Sequence, residues 1–191
     1  LSSKNVVKLE NKQVHYLKNV MRKKIDDLIY VFNDVNGEFL AKISKIYKNS
    51  IEIDLIKKTR DVEIENDIWV LFAPVKKSPT EYIVQKATEL GVSKIIPVIT
   101  ERSITKKLNL KRMQDRAIES SEQCERLTIP EVCPLQKLTE IIECWDNKRI
   151  IFYGDETIRQ NNDIKPDFHN LSLKSLGAIL VGPEGGFSAS E

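Results

Sequence analysis

Between positions 28 and 56 the chain alternates. Leu28 to Phe32 is apolar, Asn33 to Gly37 is a turn cluster, and Phe39, Ala41 and Ile43 then alternate with polar neighbours. Past Lys48-Asn49, Ile51, Ile53 and Leu55 alternate again. A period of two over short runs joined by tight turns predicts a small antiparallel sheet or barrel. Upstream, Gln13 to Arg22 has helical spacing. Val14, Leu17 and Met21 share one face, and His15, Lys18 and Arg22 share another.

The period changes beyond the acidic link Asp61 to Asn66. Ile68 to Ala73 is continuously apolar, as expected of a strand buried on both faces. Ser78-Pro79-Thr80-Glu81 reads as N-cap, first-turn proline and capping-box glutamate. The helix it opens runs to Gly91, a plausible C′ residue. Lys94 to Ile99 is the next strand, which completes a β-α-β unit and implies a parallel sheet. Leu110 to Cys124 and Leu138 to Trp145 read as helices, Arg149 to Tyr153 and Ala178 to Val181 as buried strands, and Asn161 to Ser175 as a long polar loop. The pattern therefore predicts an α/β chain with a β module over residues 1–62 and a parallel-sheet domain over 66–191.

Composition adds little until it is divided by position. The net charge of +2 arises from 30 Lys+Arg and 28 Asp+Glu. Residues 1–62 hold 13 basic and 8 acidic side chains, a balance of +5, and the remainder holds 17 and 20, a balance of −3. A basic β module on an otherwise acidic chain fits a polyanion partner, with a solvated lysine-rich surface as the plainer alternative. Lys18, Arg22, Lys23 and Lys24 cluster there, beside His15 and Tyr16. Three cysteines without a C-x-x-C pair and only two histidines argue against a disulfide framework, a zinc site or a His-based triad. No apolar run reaches the roughly 18 residues of a membrane span, and no signal peptide is evident.

The candidate chemistry lies in Leu180-Val181-Gly182-Pro183-Glu184-Gly185-Gly186-Phe187-Ser188-Ala189-Ser190-Glu191. A buried strand feeds a loop of three glycines, followed by Ser188-x-x-Glu191, a second capping box. Ligands of open α/β sheets bind at carboxyl ends of strands, which is where this loop falls. It matches neither the dinucleotide nor the triphosphate fingerprint. Its bare backbone allows close approach to a ligand; a tight turn without a ligand is the alternative.

GPEGGFS--E, with EYIVQKATELGV (Glu81 to Val92), ERS (Glu101 to Ser103), SSEQCER (Ser120 to Arg126) and HYLKNVMR (His15 to Arg22), resembles the ribosomal RNA small subunit methyltransferase E family of knotted SPOUT enzymes. The resemblance covers nearly the whole chain. It implies a PUA-like RNA-binding β-barrel, then a SPOUT α/β domain closed by a C-terminal trefoil knot. It implies methyl transfer from S-adenosylmethionine to N3 of one uridine near the 3′ end of 16S rRNA, in a cytoplasmic homodimer, without a metal. Leu180 and Val181 would floor the cofactor pocket and Gly182, Pro183, Glu184, Gly185 and Gly186 would contact the cofactor. Arg102, Glu122 and Arg126 would carry catalysis, and His15, Lys18, Arg22, Lys23 and Lys24 would bind RNA. In the family a helix and a second glycine loop follow this motif and complete the pocket, so the sequence reads as part of a longer chain. It departs from the family at Pro79, two before Glu81, where a basic residue is usual and Lys76 or Lys77 would substitute. It departs again at Asp26, where glycine is common. A ribose 2′-hydroxyl methylase and a non-catalytic RNA-binding protein are the rival readings; a dehydrogenase or kinase fails on absent fingerprints.

Overall fold

The structure, a computed structural model, describes residues 6–63, 65–75, 77–154 and 176–191. The chain divides into two compact units, Leu1–Glu63 and Ile64–Glu191.

The first unit is a four-stranded antiparallel sheet. Its strands are β1 (Val6–Glu10), β2 (Leu28–Asn33), β3 (Gly37–Ile46) and β4 (Ser50–Arg60), in the order β1-β4-β3-β2. The alternating residues pack as their period requires: Ile29, Ala41, Ile43, Ile51 and Ile53 form its core with Leu9, Val14 and Leu17. Between β1 and β2 the expected helix is only partly realised. A four-residue helix, α1 (Lys12–His15), runs into a π-helical turn over Tyr16–Val20, where Met21 N–H reaches back to Tyr16 O at 2.9 Å. The wider turn breaks the 3.6-residue register. Val14 and Leu17 are buried as expected, but Met21 is 45% exposed, and Arg22, at φ 53°, lies beyond the helical segment. Asp26 sits at φ 71°, a left-handed conformation that glycine adopts most readily.

The second unit is a parallel sheet with helices on its faces. Its longer strands are β5 (Ile68–Phe72), β6 (Lys94–Ile99), β9 (Ile150–Tyr153) and β10 (Gly177–Val181). Two short strands, β7 (Glu131–Val132) and β8 (Gln136–Lys137), pair with β6. The order among the described residues is β7-β6-β5-β10-β9. α2 (Lys77–Glu89) links β5 to β6 and begins one residue before the expected cap Ser78. It ends as read: Gly91 has φ 85° and Val92 N–H bonds Ala87 O at 3.1 Å. α3 (Leu110–Gln123) is capped by the Asn109 side chain, which accepts from Arg112 N–H at 3.0 Å. α4 (Leu138–Glu143) precedes β9. Continuous apolar strands serve two cores. Val70, Phe72 and Ile95 face α2 and α3, where Val84, Ala87, Met113 and Ala117 meet them. Leu71, Ile96, Val98, Ala178 and Leu180 face the other side with Leu138 of α4. The predicted loop Asn161 to Ser175 lies outside the described residues.

Candidate functional site

All the strand pairs of the second sheet are parallel, so the segments after β5, β6 and β10 emerge at one rim. The β5 exit is fixed first. Ala73 N–H donates to Val181 O at 2.9 Å, and Val75 O accepts from the hydroxyls of Thr80 and Thr105 at 3.3 and 3.0 Å. After β6, Thr100 and Ser103 are buried and close a turn on themselves. Ser103 N–H donates to Thr100 O at 3.1 Å, and Ser103 Oγ accepts from Thr100 N–H at 2.9 Å. The two residues between them, Glu101 and Arg102, are held outward at the tip.

The glycine loop closes the rim. Gly186 N–H bonds Pro183 O at 2.9 Å, a turn around Glu184-Gly185. Phe187 folds back under the loop, and a Cβ at Gly182 would stand 2.9 Å from its ring. Only glycine permits that approach. The Phe187 ring also meets Tyr153 of β9 edge to face, with centroids 6.4 Å apart. Ser188-x-x-Glu191 makes the expected reach-back: Ser188 N–H donates to Glu191 Oε2 at 3.1 Å. The other carboxylate oxygen of Glu191 takes the Glu101 N–H at 2.7 Å, and Arg102 Nη1 donates to Gly185 O at 2.7 Å. Of the two residues expected as an apolar floor, Leu180 is buried in the core and Val181, on the opposite face, is half exposed. Gly182 and Pro183 are partly covered, Glu184 and Gly185 exposed. Strand-end backbone and a pinned glycine turn leave main-chain atoms available to a ligand at this rim. Among the described residues no cluster of three His, Cys, Asp or Glu is placed to hold a metal.

Glu122 and Arg126 are elsewhere. Within one chain they stand at the amino end of the sheet, opposite the glycine loop. The Arg126 side chain is largely covered and spends its guanidinium on structure: it pairs with Glu65 ahead of β5, and donates at 2.8 Å to Thr88 O and to Val92 O, where α2 turns toward β6. Partial burial pushes the Glu65 carboxyl up, but its bonds from Arg126 and Thr128 outweigh this and hold it below the ordinary range. Glu122 is exposed near the end of α3; partial desolvation, then the neighbouring Glu119 charge, raises its carboxyl. Sequence spacing offered no sign of the Arg126–Glu65 tie, whose members are 61 residues apart. In the first unit His15, Arg22 and Lys24 are exposed, while Lys18 Nζ donates to Tyr47 O at 3.2 Å and Lys23 Nζ to Leu28 O at 3.4 Å.

A model described as an RNA methyltransferase domain matches residues 62–191, and one described as an RNA methyltransferase PUA domain matches residues 9–56. The chain belongs to the ribosomal RNA small subunit methyltransferase E family. The family member from Rickettsia conorii is 33% identical over 93% of this chain and 72% of its own length. That from Buchnera aphidicola of Schizaphis graminum is 29% identical over 100% and 78%. Among solved structures, the methyltransferase E of Neisseria gonorrhoeae bound to S-adenosyl methionine superposes with a TM-score of 0.83 at 26% identity, covering 100% of this chain and 79% of that one. A putative methyltransferase of Legionella pneumophila in complex with the same cofactor gives 0.74 at 25%, covering 97% and 77%. The expected architecture, a PUA domain followed by a parallel-sheet methyltransferase domain, is thus the architecture of this family.

Proposed function

We propose that this protein methylates ribosomal RNA with S-adenosylmethionine, and that its target is N3 of one uridine near the 3′ end of 16S rRNA. The observation that supports this best is the glycine loop Gly182–Gly186, fastened at the carboxyl rim of a sheet whose relatives were crystallised with that cofactor. The bound cofactor supplies a methyl group on a sulfonium, ready for displacement by a nucleophile. The loop residues Gly182, Pro183, Glu184, Gly185 and Gly186 fit such a ligand through their backbone, at the end of the strand that carries Leu180 on its core face and Val181 on the opposite face. They fix its position relative to the acceptor, which is the main requirement of an in-line transfer. The acceptor imide must lose its proton, and donors aimed at its flanking carbonyls would stabilise the charge that develops. Arg102 alone of the three residues first considered for catalysis stands at this rim. In this reading Arg126, bonded to Glu65, Thr88 O and Val92 O, serves to join Glu65, α2 and β6, and Glu122 lies on the surface of α3.

His15, Lys18, Arg22, Lys23 and Lys24 of the PUA unit hold the RNA backbone in this reading; phosphate contacts position the substrate and base contacts select it. A homodimer working on the small subunit in the cytoplasm, with a C-terminal trefoil knot, belongs to the same proposal. The test incubates the full-length protein with S-adenosylmethionine and small ribosomal subunits from a strain lacking the enzyme, followed by reverse-transcriptase mapping. A methyl at N3 blocks base pairing, so one new strong stop at a uridine near the 3′ end is expected. Incorporation without a stop would indicate a ribose methylase; no incorporation on subunits or naked RNA would leave a non-catalytic RNA-binding protein.

A further inference from the structure

Contacts between the turn after β6 and the loop after β10 join residues 83 to 90 positions apart. They come from a rigid base. Thr100 and Ser103 are both buried, and their backbone and side chains are bonded to one another, so the direction in which Arg102 leaves the turn is set. The Arg102 stem runs alongside Gly185: a Cβ there would lie 3.7 Å from Arg102 Cβ and 3.6 Å from its Cδ. Its guanidinium then ends on the Gly185 carbonyl. Glu191 fastens the far side of the loop, with one carboxylate oxygen on the Glu101 amide and the other on the Ser188 amide.

The segment being held is the most flexible kind. Gly185 and Gly186 lose more conformational freedom on ordering than any other residue type. Left loose, such a loop must be ordered at the expense of ligand affinity; ordered beforehand, it is not. A guanidinium aimed at a main-chain carbonyl makes a charge-assisted bond that fixes that peptide plane, and with it the direction of the Gly186 amide.

We infer that Arg102 is a positioning residue for the cofactor loop, with Glu191 as a second latch. It sets the Gly185–Gly186 backbone in the form that receives the methyl donor, rather than holding an RNA phosphate or the target base. The inference rests on the loop being the cofactor site, as proposed above.

The test compares full-length wild type with Arg102→Ala, Arg102→Lys and Glu191→Gln. For Arg102→Ala, calorimetric Kd for S-adenosylmethionine and KM for the cofactor should rise about tenfold, the loss of roughly one charge-assisted bond. Affinity for a 16S 3′-end fragment, and its salt dependence, should stay unchanged. Arg102→Lys should recover part of the loss, because an ammonium reaches the carbonyl without the planar fork. Amide exchange across residues 183–190, measured without ligand, should quicken in Arg102→Ala and in Glu191→Gln. A weaker RNA affinity with a shallower salt slope and an unchanged cofactor Kd would overturn the inference and make Arg102 a phosphate contact. If wild type binds no S-adenosylmethionine, the cofactor reading fails by itself, and unaltered loop exchange in Arg102→Ala would then sink the latch separately. Should Arg102→Ala fail to fold, Arg102→Lys and Glu191→Gln carry the same readouts.

Discussion

A Cβ on Gly182 would press against the Phe187 ring, which is itself packed on Tyr153 and the Leu180 side of the core. The ring is the part able to move, so a larger residue tilts the loop instead of breaking the sheet. Gly182→Val should therefore weaken S-adenosylmethionine binding by at least about tenfold. It should lower the melting temperature by only a few degrees, roughly the effect of 1 kcal/mol in a chain of this size. Calorimetry and thermal melting on one preparation read both; normal affinity would separate the loop from the cofactor. A second residue-scale effect lies in the PUA unit. Arg60 donates to Glu38 at 2.6 Å and Thr59 adds a bond of 2.6 Å, and together they hold the Glu38 carboxyl below its ordinary range. A carboxyl depressed by folding contributes stability above its unfolded pKa of about 4.3 and loses it as pH falls through the folded value. Glu38→Gln should thus cost about 1 kcal/mol at pH 7, Arg60 being partly screened by solvent. The gap between variant and wild type should close in denaturation at a pH below the folded value, and a gap that persists there would assign the cost to packing.

Among the elements, those read best from sequence are those whose burial is local and regular. Ile68–Phe72 and Lys94–Ile99 were legible because their successive apolar side chains, Ile68 to Phe72 and Ile95, Ile96 and Val98, meet a core on one face or the other. Gly91 was legible because its left-handed φ and the Schellman bond follow from glycine itself. The first helix was legible only in part, since a π turn adds a residue per turn that no apolar spacing announces, and Met21 is turned outward as a result. β1, β7 and β8 also escaped, being short strands that exist through pairing with distant partners. Of the residues proposed for the site, the glycine loop and Arg102 share a rim, whereas Arg126 bonds Glu65 far upstream. Removing Arg126 takes the guanidinium from that carboxylate, which keeps its bond from Thr128, and from the carbonyls of Val92 and Thr88, the latter still accepting from Gly91 N–H. Arg126→Met should cost about 3 kcal/mol, or roughly 6–12 °C in melting temperature, and leave turnover per folded molecule near wild type. Unchanged melting with lost turnover would instead place this residue in the chemistry.

At the scale of the molecule, the two units divide charge as they divide fold, +4 in Leu1–Glu63 and −2 in Ile64–Glu191, from 13 − 9 and 17 − 19. An acidic methyltransferase unit does not by itself draw a polyanion, so the basic PUA unit supplies the long-range attraction. Attraction of this kind is the release of counterions from the nucleic acid, and each phosphate neutralised steepens the fall of log K with log salt by about 0.7 to 0.9. Arg22, Lys23 and Lys24 stand together on a segment whose side chains are exposed or partly so, away from the core of their sheet. Replacing all three by glutamate should weaken RNA binding, and the slope should become shallower by about 2. S-adenosylmethionine affinity should not change, because the loop proposed to receive it is fastened by Glu101, Arg102 and Glu191 of the second unit. Fluorescence anisotropy of a 16S 3′-end fragment across a salt series, beside calorimetry with the cofactor, measures the two quantities independently. A slope equal to wild type would move the phosphate contacts off this segment, and the cations around the rim of the second unit would then be the surface to test, beginning with Lys106 and Lys107, both exposed just past the Arg102 turn.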